Sequence, residues 1–207
     1  MKFAKDEIRK GMLLYAVTDQ SWLKEGQTLL SVCEDVLANG ATFLQIREKD
    51  LDAACFEAEA AKLKALCGRY GVPYVVNDSV EIALAIDADG VHVGQSDIRG
   101  RDIRSLIGPD KILGISAGTV EEAQAAEKAG ADYIGCGPFR FTTTKKNLSP
   151  VLGLEGYRSI VSQMKEAGIH LPIVAIGGIT KEDIPALMQT GITGIALSGS
   201  ILRAENP

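Results

Sequence analysis

Short apolar runs rich in β-branched residues recur along the chain, and between them apolar residues return every three or four positions. The runs are LLYAVT (13–18), TFLQIR (42–47), PYVVN (73–77), GVHVG (90–94), KILGIS (111–116), DYIGCG (132–137), PIVAIG (172–177) and GIALS (194–198). Their apolar positions are continuous rather than alternating, as in parallel strands covered on both faces. The intervening stretches 25–38, 52–70, 79–86, 98–107, 120–129, 154–167 and 182–189 carry helical periodicity. In 120–129, for example, Val120, Ala123 and Ala126 share one face, and Gly130 follows as a stop. Eight strand–helix units in this order predict an α/β fold, a compact (β/α)8 TIM barrel. The last unit is short, since ILRAENP leaves at most one helical turn after the eighth run. An open doubly wound sheet is the competing architecture.

Composition narrows the picture without changing it. The chain has 207 residues, 46% of them hydrophobic and 24% charged, and no composition shift or linker divides it. Residues 1–207 are therefore read as a single domain, able to bury a core without metal or disulfide staples. No apolar run approaches the ~18 residues that span a bilayer, and the first residues lack the apolar stretch of a signal peptide. A net charge of −5 excludes general nucleic-acid binding, which needs a basic face. Four cysteines without a CxxC pair, beside two histidines, read as reduced thiols rather than a zinc site, and imply a cytoplasmic compartment.

In such a barrel the chemistry sits where strands end and the following loops begin. Gln45, Arg47 and Lys49 share one side of the second strand, and two cations aimed into a barrel mouth call for an anion. Arg47 supplies a planar fork and Lys49 a point charge, a pairing suited to a diphosphate. Ion pairs with Glu48 and Asp50 are the plainer use of the same cations. Asn77-Asp78 and Asp97 follow the third and fourth strands. Each could merely cap a helix or close a turn, but two carboxylates facing a cationic clamp also suit Mg²⁺ beside a polyanion. Ser116 ends the fifth strand. The longest loop, 137–153, carries Thr142, Thr143, Thr144 and Lys145 and has the length of a lid. Gly177-Gly178 and Ser198-Gly199-Ser200 follow the seventh and eighth strands, where backbone N–H groups of this fold commonly hold a phosphate. His92 lies among apolar neighbours and reads as a satisfied histidine rather than a base, while Tyr15 and Trp22 read as packing. With no acid–base dyad in view, leaving-group departure and electrostatics would have to drive any reaction.

These motifs, in this order, resemble the thiamine phosphate synthase family over about residues 13–203. The resemblance is carried by Leu14 to Asp19, Gln45-Ile-Arg47-Glu-Lys49, Asn77-Asp78, Gly90-Val-His92-Val-Gly94-Gln95-Ser-Asp97, Gly114-Ile-Ser116, Gly137-Pro138, Thr142 to Lys146, Gly153-Leu154 and Ala175-Ile-Gly177-Gly178. It implies a cytoplasmic transferase that joins a hydroxymethylpyrimidine diphosphate to a thiazole phosphate, releases diphosphate and forms thiamine phosphate by a dissociative, Mg²⁺-assisted route. By the same resemblance Gln45, Arg47, Lys49, Asn77 and Lys145 would hold the pyrimidine diphosphate, and Asp78 and Asp97 the Mg²⁺. Ser116 would meet the pyrimidine amine. Thr142, Thr143, Thr144, Gly178, Ser198 and Gly199 would hold the thiazole phosphate. Arg47, Lys49, Ser116 and Lys145 would be the catalytic set. The partners implied are these small molecules, with no nucleic acid and no membrane, and a homo-oligomer stays open. The chain departs from the family pattern at Ala117-Gly118-Thr119, at Arg140-Phe141 and at Ser198-Gly199-Ser200-Ile201. A thiazole tautomerase on the same barrel, which resembles the chain in its last turn, and a non-catalytic phosphate-binding barrel are the alternatives.

Overall fold

The computed structural model describes residues 3–142 and 150–204. Eight parallel strands close in sequence order: β1 (Leu14–Val17), β2 (Phe43–Ile46), β3 (Tyr74–Asn77), β4 (Gly90–Val93), β5 (Ile112–Ser116), β6 (Tyr133–Cys136), β7 (Ile173–Ile176) and β8 (Gly194–Leu197). Closure is made by β8 pairing with β1, with Leu14 opposite Ile195 and Ala16 opposite Leu197. Each strand lies within a predicted apolar run, and the barrel prevails over the open sheet.

The two-residue period of the strands sorts the core into two bodies. Tyr15, Val17, Phe43, Val75, Ile112, Tyr133, Val174 and Ala196 fill the barrel interior. Their neighbours Ala16, Leu44, Ile46, Tyr74, Val76, Val91, Leu113 and Ile134 face outward against the helices. The helical layer comprises α2 (Leu29–Ala38), α3 (Ala53–Tyr70), α4 (Val80–Ala85), α5 (Ile103–Ile107), α6 (Val120–Lys128), α7 (Gly153–Glu166), α8 (Ile184–Met188) and the single turn α9 (Gly199–Leu202).

Three boundaries differ from the periodicity, each for a local reason. Residues 25–28 are not helical, because Thr28 caps α2 by accepting from the Ser31 N–H. Helix α5 begins only at Ile103, because Asp102 caps it and Gly100 breaks the chain at φ +73°. That removes the capping role open to Asp97. Residues 181–183 form a 3-10 turn before α8. An unforeseen helix, α1 (Lys5–Gly11), precedes β1. It contributes only Ile8 to the core, with Met12 just beyond, too few apolar positions to register as a period. Together these side chains close the barrel at the N-terminal ends of the strands, leaving the opposite end for the site. The four cysteines are free thiols. Among the described residues no helix is long and apolar enough to cross a membrane.

The plug tolerates no added volume. A Cβ on Gly194 would stand 2.0 Å from the Met12 carbonyl oxygen. Gly194→Ala is expected to lower stability by about 1–3 kcal/mol, the range of core overpacking. A urea unfolding midpoint equal to that of the parent would show that the Met12-Leu13 backbone does not seat against β8.

Candidate active site

The open end of the barrel holds a cavity of about 600 Å³, built from the residues that follow nearly every strand. After β1, Thr18 is buried and donates to Glu48 Oε1 at 2.6 Å, while the Gln20 N–H donates to Glu48 Oε2 at 2.8 Å. The Arg47 N–H in turn donates to Thr18 Oγ1 at 2.9 Å. Glu48 thus ties the first loop to β2. Its burial raises its pKa, and the two hydrogen bonds oppose that rise. The anchored backbone presents the Arg47 side chain to the cavity, 4.0 Å from Asp19 Oδ2.

Lys49, Asn77, Asp78 and Asp97 of the expected diphosphate and metal group lie at or after the ends of β2, β3 and β4 and are not among the residues lining the cavity. Lys49 and Asp78 form an ion pair across the β2 and β3 ends. Asp78 has φ +63°, the left-handed region that an Asp occupies at a cost of about 1–3 kcal/mol. Its N–H donates to the His92 carbonyl, at 2.8 Å, which holds it there. Capping of α4 falls to Ser79 and not to the Asn77-Asp78 pair. After β4 the Gly94 N–H donates to Asp97 Oδ2 at 2.8 Å, closing a tight loop around that carboxylate. Among the described residues no cluster of three or more metal-ligating side chains occurs.

Gln45 stands deeper. It is 5% exposed, and its amide nitrogen donates to the Tyr15 hydroxyl at 2.8 Å inside the barrel. It is not among the residues lining the cavity.

On the far side the β5, β6, β7 and β8 loops complete the wall. Ser116 lines the cavity, and its carbonyl accepts from the Gln95 amide at 2.7 Å. The Gly118 N–H donates to Glu122 Oε2 at 2.6 Å, so the turn after β5 is braced by its own helix. Gly177 (φ +101°) and Gly178 (φ +68°) need left-handed backbone, and a Cβ on Gly177 would stand 2.7 Å from that of Pro138. Thr142, Gly178, Ser198 and Gly199 all line the cavity. Thr143, Thr144 and Lys145 lie outside the described residues.

Two side chains of this wall, Arg203 and Trp22, were not foreseen as parts of the site. Arg203 lines the cavity with its guanidinium stacked over Trp22, 4.4 Å from the ring centroid, and its Nε donates to the Gly199 carbonyl at 3.1 Å. It makes no ion pair among the described residues. An arginine six residues past a strand carries no signal in a linear reading, and its cation–π partner Trp22 reads there as packing. Trp22 Nε1 and Ser198 Oγ are buried, line the same end, and find no partner among the described residues. The N–H groups of Gly178, Gly199 and Ser200 likewise meet no described backbone acceptor. Several donors therefore converge on one end of the cavity with no acceptor among the described residues, which is the chemistry of an oxyanion site.

Arg140, one of the departures from the family pattern, braces this end. Its guanidinium donates to both oxygens of Asp183 at 2.9 Å and to the Gly178 carbonyl at 2.7 Å. The guanidinium holds the Asp183 carboxyl down at about 2, below the usual 3.8. A depressed carboxylate stabilises the fold above its unfolded pKa and loses that contribution as pH falls through the folded value. The clamp is thus expected to weaken between about pH 4 and pH 2. NMR titration of the Asp183 carboxyl should show a midpoint near 2, returning toward 3.8 in Arg140→Ala. An identical midpoint in both proteins would dissociate Arg140 from Asp183.

Comparison with known proteins converges on one family. The family model described as thiamine monophosphate synthase matches residues 14–201. A protein of Phocaeicola vulgatus named thiamine-phosphate synthase is 59% identical over 83% of this chain and 82% of its own length. One of Clostridium novyi with the same name is 44% identical over 93% of this chain and 92% of its own. The solved structure of thiamine phosphate pyrophosphorylase from Pyrococcus furiosus superposes with a TM-score of 0.82 at 35% identity, covering 96% of this chain and 91% of that one. The chain belongs to the thiamine monophosphate synthase family.

Proposed function

We propose that this chain condenses a hydroxymethylpyrimidine diphosphate with a thiazole phosphate, with or without a carboxylate on the thiazole, through departure of diphosphate ahead of carbon–nitrogen bond formation. The observation that supports this most is that one cavity is lined both by Arg47, after β2, and by a second group after β1, β7 and β8: Trp22 Nε1, Ser198 Oγ and the Gly178 and Gly199 N–H groups, which have no partner among the described residues, with Arg203 beside them. A site for two anionic substrates needs two such poles. Ser116 lies on the wall between the β4 and β6 loops and is suited to the pyrimidine ring.

Arg47 would take the diphosphate with its fork, and Lys49 and Asn77 would extend that grip at the β2 and β3 ends. By the family resemblance Lys145 would add to this grip and Thr142, Thr143 and Thr144 to that on the thiazole phosphate. Release of diphosphate leaves positive charge on the exocyclic carbon of the pyrimidine, which the thiazole nitrogen then captures. The protein contributes positioning and fixed charge rather than a base. Glu122, whose carboxylate lines the cavity, is engaged by the Gly118 N–H.

The residues present fit Mg²⁺. Asp78 and Asp97 each commit one oxygen, to Lys49 and to the Gly94 N–H, and keep the other without a hydrogen bond among the described residues. Mg²⁺ takes one or two carboxylates and completes its shell with water and phosphate oxygens, so a two-carboxylate set suffices. When bound there it would neutralise charge on the leaving diphosphate. The isomerase alternative has less support, because Gly118 stands where that reading needs an imidazole.

The direct test supplies purified protein with both substrates and Mg²⁺ and looks for thiamine phosphate by mass; an untouched pyrimidine diphosphate would overturn the reading. Asp78→Ala and Asp97→Ala are each expected to reduce kcat by at least ~10²-fold, the scale of one preorganised electrostatic contact. Near-parental rates in EDTA would remove the metal from the scheme. Arg203→Ala is expected to raise the KM for thiazole phosphate about ten-fold with kcat little changed, as for loss of an interaction present equally in ground and transition states. A drop in kcat alone would instead place Arg203 with the leaving group.

A further inference from the structure

Beneath Ser116 a line of polar groups runs through the barrel interior. Gln45 Nε2 donates to the Tyr15 hydroxyl at 2.8 Å, and the hydroxyls of Tyr15 and Tyr133 are 2.7 Å apart. The Tyr133 hydroxyl is 3.0 Å from His92 Nδ1, and His92 Nε2 is 3.1 Å from Ser116 Oγ. Tyr15 and Tyr133 are 2% and 0% exposed and His92 8%, so water offers little alternative partnership. The sheet makes room for the line. A Cβ on Gly114 would fall 2.2 Å from Tyr133 Cζ and 2.5 Å from His92 Nδ1, and one on Gly135 2.9 Å from His92 Cε1. Two inward positions of adjacent strands β5 and β6 are thus left without side chains where branched residues usually fill such a barrel.

We infer that Gln45, Tyr15, Tyr133 and His92 form a proton-ordered chain that fixes the Ser116 hydroxyl as a hydrogen-bond donor facing the cavity, with Gln45 as the positioning residue that sets its direction. The order follows from what each atom can do. An amide nitrogen only donates, so Tyr15 accepts from Gln45 and its own proton has Tyr133 as its described acceptor. Tyr133, having accepted, gives its proton to His92 Nδ1. The imidazole then carries its proton on Nε2 and donates it to Ser116 Oγ. One lone pair of Ser116 is occupied, and its O–H and second lone pair are left for the cavity. Burial raises the pKa of both tyrosines, which keeps the chain un-ionised. Turning the Gln45 amide over would reverse every bond, and Ser116 would donate inward and offer only lone pairs outward.

What Ser116 meets rests on the proposed function. A donor with one free lone pair matches the edge of an aminopyrimidine, where a ring nitrogen that accepts stands beside an amine that donates. Acceptors alone would match only the amine.

The chain has two histidines, so the test is spectroscopically simple. In ¹⁵N-histidine-labelled protein, with exposed His170 assigned by His170→Asn, long-range ¹H–¹⁵N correlations report the tautomer of neutral His92. The Nε2–H tautomer is expected; Nδ1–H overturns the inference. Gln45→Met keeps the length but removes the donor, and should populate a second tautomer while lowering kcat/KM for the pyrimidine diphosphate about ten-fold, the scale of one lost buried hydrogen bond. Lost activity with the Nε2–H tautomer unchanged would make Gln45 a direct substrate contact and overturn its positioning role. Tyr15→Phe breaks the chain one bond further along with the same expectation, should Gln45→Met fail to fold. The tautomer is read without substrate, so an inactive protein with Nε2–H would sink the proposed function alone, and an active one with Nδ1–H the chain alone.

Discussion

Everything at the open end depends on the closure of β8 onto β1, because that contact turns eight separate strand ends into one ring. With Leu14 held opposite Ile195 and Ala16 opposite Leu197, the inward positions of all strands converge on a common axis. Side chains that follow β2 and β8, far apart in sequence, then line one cavity on either side of β1. Closure also removes both sheet edges, so no backbone donors or acceptors there need separate cover. The apolar interior layer of Tyr15, Phe43, Ile112, Tyr133 and Val174 is the floor on which the polar groups stand. A slip of one residue in any strand would exchange that floor for outward-facing residues.

The interior is where polarity is allowed to enter, and it does so in a graded way. The plug of Ile8 and Met12 is wholly apolar. The next level is aromatic with hydroxyls that bond one another, and above it His92 and Gln45 bring nitrogen into the barrel. Only at Ser116 and Arg47 does the path reach the cavity. Gln45, Tyr15, Tyr133 and His92 each have a hydrogen-bond partner along this line, so their desolvation is offset at every step.

The eight strands were legible because burial on both faces writes a run of apolar residues into each of them. The helix starts were less so: Asp97 stands where a cap of 98–107 would, but the left-handed turn at Gly100 breaks that stretch and Asp102 caps the helix that follows. In the site, Arg47 was recognisable because a cation at a strand end has few uses, and the structure brings it into the cavity with Ser116, Thr142, Gly178, Ser198 and Gly199. Arg203 was not, since its role comes from stacking on Trp22, 181 positions earlier, and no linear spacing encodes that contact. His92 was read as a satisfied histidine, and its bonds to Tyr133 and Ser116 agree. The line of which it is part joins β1, β2, β4, β5 and β6, and becomes visible only when those strands are wrapped into a ring.

A protein of net charge −5 that is to hold two anions must keep a few cations from being neutralised by its own carboxylates. The distribution of ion pairs suggests how. Arg69, Arg101, Arg140 and Lys111 are each engaged by a carboxylate away from the cavity floor. At the mouth Arg203 instead rests on an aromatic face. An indole face holds a guanidinium in place without satisfying its N–H groups, so the cation is oriented yet still able to donate. Lys49 is the intermediate case, since its partner Asp78 is itself strained and is one of the two carboxylates proposed for Mg²⁺. A metal arriving with diphosphate would compete for that carboxylate and release the ammonium toward the same anion. The ion pair of the free protein would thus keep both charges in position until the substrate supplies better partners for each.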